Sequence, residues 1–284
     1  MFSIAYRNLK IFFRDKASVF FSFLGVIIII GLYILFLGDT MMKGMADIEG
    51  IRFVMDSWIM AGVLAVTSIT TTMGAFGIMV NDREKKTLKD FSAAPIKRYK
   101  IAGGYIISSY IIGVIMSLVT FVLAEVYIII YGGELLPLMS VFKILGLILL
   151  SVLASSSMVF FMVSFFKSNN AFATASTVMG TLIGFLTGIY IPIGVLPEAV
   201  QVVIKAFPVS HAGVLFRQVM MEEPLKASFA NVPAQVLSDF KDEMGIVFQY
   251  GDYTAGTGVH ILVLIATIIL FYGLAIMNVS RKQK

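Results

Sequence analysis

The sequence predicts an all-α integral membrane fold of six transmembrane helices, and three observations carry that prediction. The first is composition: 58% of the 284 residues are hydrophobic and only 14% are charged, with a mean hydropathy of +0.92. A soluble domain carries about a quarter charged residues, and so little polar surface cannot cover a water-facing exterior. The second is run length. About 20 apolar residues in a helix cross the hydrocarbon core, and six stretches meet that requirement: Val19–Leu37, Trp58–Val80, Ile101–Tyr131, Val141–Phe166, Phe172–Ile191 and Val259–Val279. The third is charge placement. Fifteen of the 22 basic residues fall in the N-terminal arm, in 81–100, at Lys167 and in the C-terminal tail. The intervening segments on the other face carry Asp39, Asp47, Glu49, Asp56, Glu134 and a mostly acidic stretch from Glu198 to Asp252. The positive-inside rule then predicts both termini in the cytoplasm of a cell, in a multi-pass plasma-membrane protein. An even number of spans agrees.

The N-terminal segment 1–17 reads as an interfacial helix. Phe2, Ala5, Leu9, Phe12 and Phe13 fall near one helical face, while Arg7, Lys10, Arg14 and Lys16 lie largely elsewhere, the pattern of a helix lying in the headgroup plane. The first apolar run is longer than the core of a cleavable signal and is followed by no small-x-small site, so it is expected to remain as an anchor. Between the fifth and sixth runs lies the outer segment 192–258. Its opening stretch, Pro192–Pro208, is apolar but too short to span and is broken again at Pro197. It is predicted to dip into the outer leaflet as a re-entrant hairpin, buried in protein at that depth, with short helices in 209–258 beyond it.

Several chemistries are excluded or disfavoured at this level. The chain has no cysteine, hence no disulfide, thiolate nucleophile or Cys-based metal site. His211 and His260 are far apart in sequence and are expected outside the membrane as ordinary residues, so no metal site is predicted. No convergent acid, base or nucleophile set marks a catalytic centre. Net charge of +5 fits basic loops facing anionic headgroups rather than nucleic acid. Glu125 lies near the outer end of the third run and is expected to pair with Lys143.

The segment 81–100 reads NDREKKTLKDFSAAPIKRYK. Asn81 or Asp82 suits a helix N-cap, Asp82 and Glu84 suit its first turn, and Pro95 ends it. Two readings stand: a short charged helix that docks on a cytosolic partner, or a solvated basic loop that sets topology. In the fifth run, Gly180, Gly184 and Gly188 form a small-residue stripe, which suits a subunit interface or packing within one subunit. Thr67, Ser68, Thr70, Thr71 and Thr72 of the second run, with Thr177 and Thr181 of the fifth, either line a weakly polar path or bond back to their own helix. Phe185 is a candidate hydrophobic gate.

The run Arg83-Glu84-Lys85-Lys86-Thr87-Leu88, followed by Ala94-Pro95-Ile96, resembles the signature of type-2 ATP-binding-cassette (ABC) transporter permeases, a cytoplasmic ERE-x-G-T-L-E run with a later small residue and P-[IV]. It departs at Asp82, Lys86 and Lys89, where the family has Glu, Gly and Glu. Ile191-Pro192, Leu196-Pro197 and Phe207-Pro208 resemble the family's proline-marked re-entrant segment, and the six-span layout and interfacial helix match as well. The resemblance implies a cytoplasmic coupling helix in which Arg83, Glu84, Lys85, Thr87, Leu88 and Phe91 receive force from a separate ATPase. It also implies two ATPase copies, a second permease subunit as homo- or heterodimer, and spans two and five near a central path. ATP and Mg would then belong to the partner; the chain carries no G-x-x-x-x-G-K-[ST] run. The family exports drugs, peptides such as bacteriocins, lipids and polysaccharides. Strongly apolar spans lean toward an amphipathic or hydrophobic cargo. The rival classes are an ion-coupled secondary transporter, which calls for internal repeats and paired ionisable groups, a membrane enzyme, and a non-transporting immunity or assembly factor.

Overall fold

A computed structural model describes residues 1–43, 45, 48–87 and 97–281. The chain opens on helix α1 (Phe2–Arg14). Asp15 leaves it in extended conformation and caps α2 (Lys16–Leu32): its carboxylate accepts from the backbone of Ala17 and Ser18 and from the Ser18 hydroxyl at 2.7 Å. That hydroxyl holds the Asp15 carboxyl below the usual aspartate range. A wide π-helical stretch, Tyr33–Leu37, carries α2 into α3 (Gly38–Met42). The long helices α4 (Ile51–Glu84), α5 (Arg98–Ile130), α6 (Leu138–Val163), α7 (Asn169–Leu186) and α12 (Thr257–Arg281) complete the bundle. Between α7 and α12 run α8 (Glu198–Ala206), α9 (Pro208–Met220), α10 (Glu222–Ser228), α11 (Ala234–Glu243) and an antiparallel ribbon of β1 (Phe248–Tyr250) and β2 (Tyr253–Ala255), with Phe248 opposite Ala255.

Among the described residues five helices are long and apolar enough to cross a membrane, Lys16–Leu37, Ile51–Glu84, Tyr99–Ile130, Leu138–Val163 and Thr257–Asn278, and the bent pair Glu198–Ala206 and Pro208–Met220 passes the same measure together, as a broken span or a re-entrant loop. The five single helices correspond to five of the six predicted runs. The remaining run, Phe172–Ile191, forms α7, which starts earlier and stops at Leu186. Its opening Asn169-Asn170 and its Thr and Ser residues dilute the apolar content, and it falls outside the five. Its end is set by Gly188 at φ 64°. The amide of Gly188 bonds the Phe185 carbonyl and that of Ile189 bonds Gly184, the paired pattern that closes a helix on a left-handed glycine.

α4 is the central post. It buries 83% of its most apolar window, against 22% for α2 and for α12, and it packs on α2, α5, α6, α7 and α9. Trp58, Met55, Ile59, Met60 and Phe76 of α4 are among the largest fully buried side chains. α2 and α12, by contrast, present Phe20, Phe21, Leu262 and Ile269 outward, as lipid-facing helices do.

The predicted apolar face of α1 divides in two. Ala5 and Phe12 are buried, α1 packing mainly on α5, while Phe2 (75% exposed) and Phe13 (39%) point out of the protein. The stretch Pro192–Pro208 also differs from a closed hairpin. Pro192 precedes a single tight turn, Ile193–Val195, Pro197 precedes α8, and Pro208 is the first residue of α9, bent 88° from α8. The second limb does not end at Pro208. It runs to Met220 with Val209–Arg217 buried, because α9 is covered by α4, α6 and α12. Sequence pattern alone could not reveal that burial, since Ser210, His211, Arg217 and Gln218 interrupt its apolar run.

Candidate functional site

A cavity of about 940 Å³ forms a groove between α2, α4 and α7. Its walls are apolar: Phe21, Leu24 and Ile28 from α2, Val66, Ile69 and Met73 from α4, Phe172, Met179 and Ile183 from α7. Ser18, Ser22, Thr70, Ser176, Thr177 and Thr181 add hydroxyls, Asn169 adds an amide, and among the described residues no Asp, Glu, Lys or Arg lines it. Most of these hydroxyls already have partners on their own helix. Thr177 donates to Ala173 O at 3.0 Å, Thr181 to Thr177 O at 2.9 Å and Ser22 to Ser18 O at 2.8 Å. The Ser176 hydroxyl oxygen is buried and has no hydrogen-bond partner among the described residues.

The residues predicted for the path fall into two sets. Thr177, Thr181, Phe185 and Gly180 line the groove, and Phe185 stacks edge-on against Tyr190 at 5.2 Å. Thr67 and Thr71 do not line it. Both are fully buried in the packing of α4, with hydroxyls donating to Val63 O and Thr67 O at 2.7 Å; Thr70, one residue before Thr71, takes the groove position. The glycine stripe likewise divides. A Cβ on Gly180 would meet nothing within 4 Å, whereas one on Gly184 would lie 2.0 Å from the Tyr190 ring and one on Gly188 would strike Ile193 at 2.4 Å. Gly184 and Gly188 therefore serve the fold-back of residues 188–193 onto α7, within the subunit.

At the end of the bundle where α4 stops, three consecutive residues each grip a different helix. Asp82, buried at 4% exposure, accepts both Arg7 guanidinium nitrogens at 2.7 and 2.9 Å and the Tyr105 hydroxyl at 2.6 Å. It thereby joins α1, α4 and α5, and its hydrogen bonds raise the Arg7 guanidinium pKa above the usual value. Arg83 donates to the Val163 carbonyl at 3.0 Å and to that of Phe166, placing its positive charge at the C-terminus of α6 and just beyond it. The Glu84 carboxylate accepts from the Asn169 backbone at 3.2 Å and from its side-chain amide, at the N-terminal end of α7. Arg83 and Glu84 thus stand at the end of α4, which runs on through Asn81 and Asp82 instead of restarting there. Lys85 and Lys86 form the turn beyond and are exposed, and Thr87 is half-buried. Lys86 has φ 63°, a left-handed conformation at the position where the resembling signature has Gly. Leu88 and Phe91 lie outside the described residues.

At the opposite end Arg217 is fully buried over the Trp58 ring, at 4.8 Å. Its guanidinium donates to the carbonyls of Thr187 and Gly188, at the end of α7, at 3.0 and 3.1 Å, and to Gly245 O at 3.3 Å. Trp58 in turn donates to Met244 O at 2.7 Å. Sequence reading missed this clamp, since a lone arginine in an outer segment carries no periodic signal. Two smaller expectations are corrected. Glu125 accepts from the Leu136 amide at 3.2 Å, while Lys143 pairs with Glu222 at 3.5 Å. His211 and His260 are in direct contact. Among the described residues no group of three or more His, Cys, Asp or Glu is placed to hold a metal ion.

A multi-pass helical bundle whose cavity is an uncharged groove along its long helices, rooted in a knot of helix-end contacts, is a membrane protein of the permease type. The chain belongs to the ABC-2 transporters: residues 52–277 match the family described as ABC-2 family transporter protein. No curated protein matches it. Membership makes it a membrane subunit of an ABC transporter, of a kind generally without its own ATPase site, and implies association with an ABC ATPase.

Proposed function

We propose that this chain is the permease half of an ATP-driven exporter and that the groove between α2, α4 and α7 is its share of the path for an amphipathic or hydrophobic cargo. One observation carries the reading: two helices of the groove, α4 and α7, are tied at their roots by Glu84 and Asn169, immediately beside the basic segment expected to meet the ATPase. An uncharged groove with a few hydroxyls suits a cargo that is mostly apolar with hydrogen-bonding groups. Two copies of the chain, or this chain and a related one, would face their grooves together, both termini on the ATPase side. Closure of two ATPase subunits would press on 81–100, and the contacts of Asp82, Arg83 and Glu84 would pass the movement to α1, α5, α6 and α7 together.

The test is ATP-driven movement of a fluorescent amphipathic dye or a labelled lipid in proteoliposomes that hold the chain with its partner ATPase. Transport is expected to require the ATPase and ATP. Gly180→Leu, placed where a Cβ meets nothing within 4 Å, is expected to cut transport at least tenfold while the purified protein melts as before. Transport by the chain alone under an ion gradient would overturn the reading in favour of an ion-coupled carrier. Unchanged transport by Gly180→Leu would remove the groove from the path.

A further inference from the structure

Helix α1 has three sides. One is buried: Ile4, Ala5, Asn8 and Phe12 face inward. There the Asn8 side-chain amide donates to the Ser108 hydroxyl at 3.2 Å, and a Cβ on Gly104 of α5 would lie 2.7 Å from Ile4. The other two sides are open and differ in chemistry. Phe2, Tyr6 and Phe13, four and seven residues apart, follow one line along the helix, and all three are exposed. Arg7, Lys10 and Arg14, three and four residues apart, follow the neighbouring line. Lys10 stands at the border, its ammonium 4.5 Å from the centre of the Tyr6 ring.

An aromatic line beside a basic one, along the whole length of a helix, suits a membrane–water boundary, with rings toward the acyl chains and cations among the headgroups. Continuity with the next helix supports the same setting. The chain passes from α1 through Asp15 into α2, which presents Phe20 and Phe21 outward, so the aromatic line leads onto a lipid-facing surface. Charge then selects the lipid. Lys10, Arg14 and Lys16 are exposed, and among the described residues none of the three has a carboxylate partner. The carboxylates nearby are engaged elsewhere: Asp15 accepts from the backbone of Ala17 and Ser18, and Asp82 accepts from Arg7 and Tyr105. Lys97 and Lys100 at the start of α5 are exposed as well, and Lys100 stands one turn before Gly103, where Met1 of α1 is seated. Such a basic strip attracts anionic headgroups, whereas zwitterionic ones present it with no net charge.

We propose that α1 is a binding surface for anionic phospholipid headgroups, held by Lys10, Arg14 and Lys16, and that lipid bound there steadies the end of α4 through Arg7. Arg7 belongs to the same basic line, one turn before Lys10, and its guanidinium holds Asp82 by two hydrogen bonds. Asp82 also binds Tyr105 of α5, and the next two residues grip α6 and α7. Headgroups that fix α1 therefore fix the joint at which α4 meets three other long helices. This surface is separate from the proposed path, and neither the groove nor an ATPase enters its test.

The experiment uses the full chain alone in nanodiscs, either of phosphatidylcholine or with about one-third of it replaced by phosphatidylglycerol. The anionic lipid is expected to raise the thermal midpoint by about 3 °C or more, as a ligand of the folded state does. It is also expected to slow hydrogen exchange at the amides of Arg83, Glu84 and Lys85 by about threefold or more. Both effects should fade as salt is added, through screening. The triple variant Lys10→Gln, Arg14→Gln, Lys16→Gln is expected to lose both while melting as before in phosphatidylcholine. Lys10→Arg with Lys16→Arg, which keeps the charge, is expected to retain both. No rise in the natural sequence, an equal rise in the triple variant, or an equal rise on adding inorganic phosphate to phosphatidylcholine discs would overturn the proposal. A rise without slower exchange at those three amides would overturn the part given to Arg7.

Discussion

At Lys86 a single side chain carries a measurable cost. A non-glycine residue at φ 63° is disfavoured by about 1–2 kcal/mol through the contact of its Cβ with the next carbonyl, and glycine recovers most of this against the greater freedom it gives the unfolded chain. Lys86→Gly is expected to stabilise the protein by about 0.5–1 kcal/mol, read as a higher midpoint in thermal unfolding in detergent; a lower midpoint would show that the Lys86 side chain makes a contact worth more than the strain. The same scale shows what sequence reading could reach. Asp82, Arg83 and Glu84 were conspicuous as a charged run, and their helix-end partners were not, because Val163, Phe166 and Asn169 contribute backbone or amide groups that any sequence would offer there. Arg217 and the histidine pair were illegible for the same reason: each is defined by carbonyls and by contacts across dozens of residues.

At the level of elements the clearest contrast is within α7. Gly180 and Gly184 sit one turn apart and look equivalent in the sequence, yet one faces open space and the other the Tyr190 ring. Gly180→Ala is expected to be neutral or to stabilise by up to about 1 kcal/mol through helix propensity. Gly184→Ala is expected to destabilise by about 1–3 kcal/mol, since the ring must move in packed surroundings. Equal melting temperatures for the two variants would refute this division of the stripe. The long helices themselves were legible because run length and hydropathy depend on composition alone. The continuation of α4 past Val80 and the burial of α9 were not, because there polar residues lie inside the protein, satisfied by partners no local pattern announces.

On the scale of the whole molecule, α4 forms a post with the other long helices around it, and the cavity opens where α2 and α7 leave one side of that post partly uncovered. The class of protein was readable from apolar runs, basic segments and proline-marked breaks acting together, and family membership over residues 52–277 agrees. The groove was half readable: its α7 wall follows from the Thr and Gly positions. Its α4 wall is rotated by one residue from Thr71 to Thr70, an angle that only packing against α5 and α6 determines.

The shortness of α7 has a consequence for the surrounding lipid. At 18 residues it is about 27 Å long, while α4, at 34 residues, is about 51 Å. On the proposed reading that α7 walls a path through the bilayer, a hydrocarbon core of about 30 Å exceeds its length, and acyl chains beside it would shorten or splay to meet it. The protein is expected to thin its own annulus on that side alone. Reconstituted in phosphatidylcholines of increasing chain length, its thermal stability should peak at the thinner bilayers and fall as thickness grows. A flat profile would mean that α7 tilts or is shielded from lipid by a second subunit.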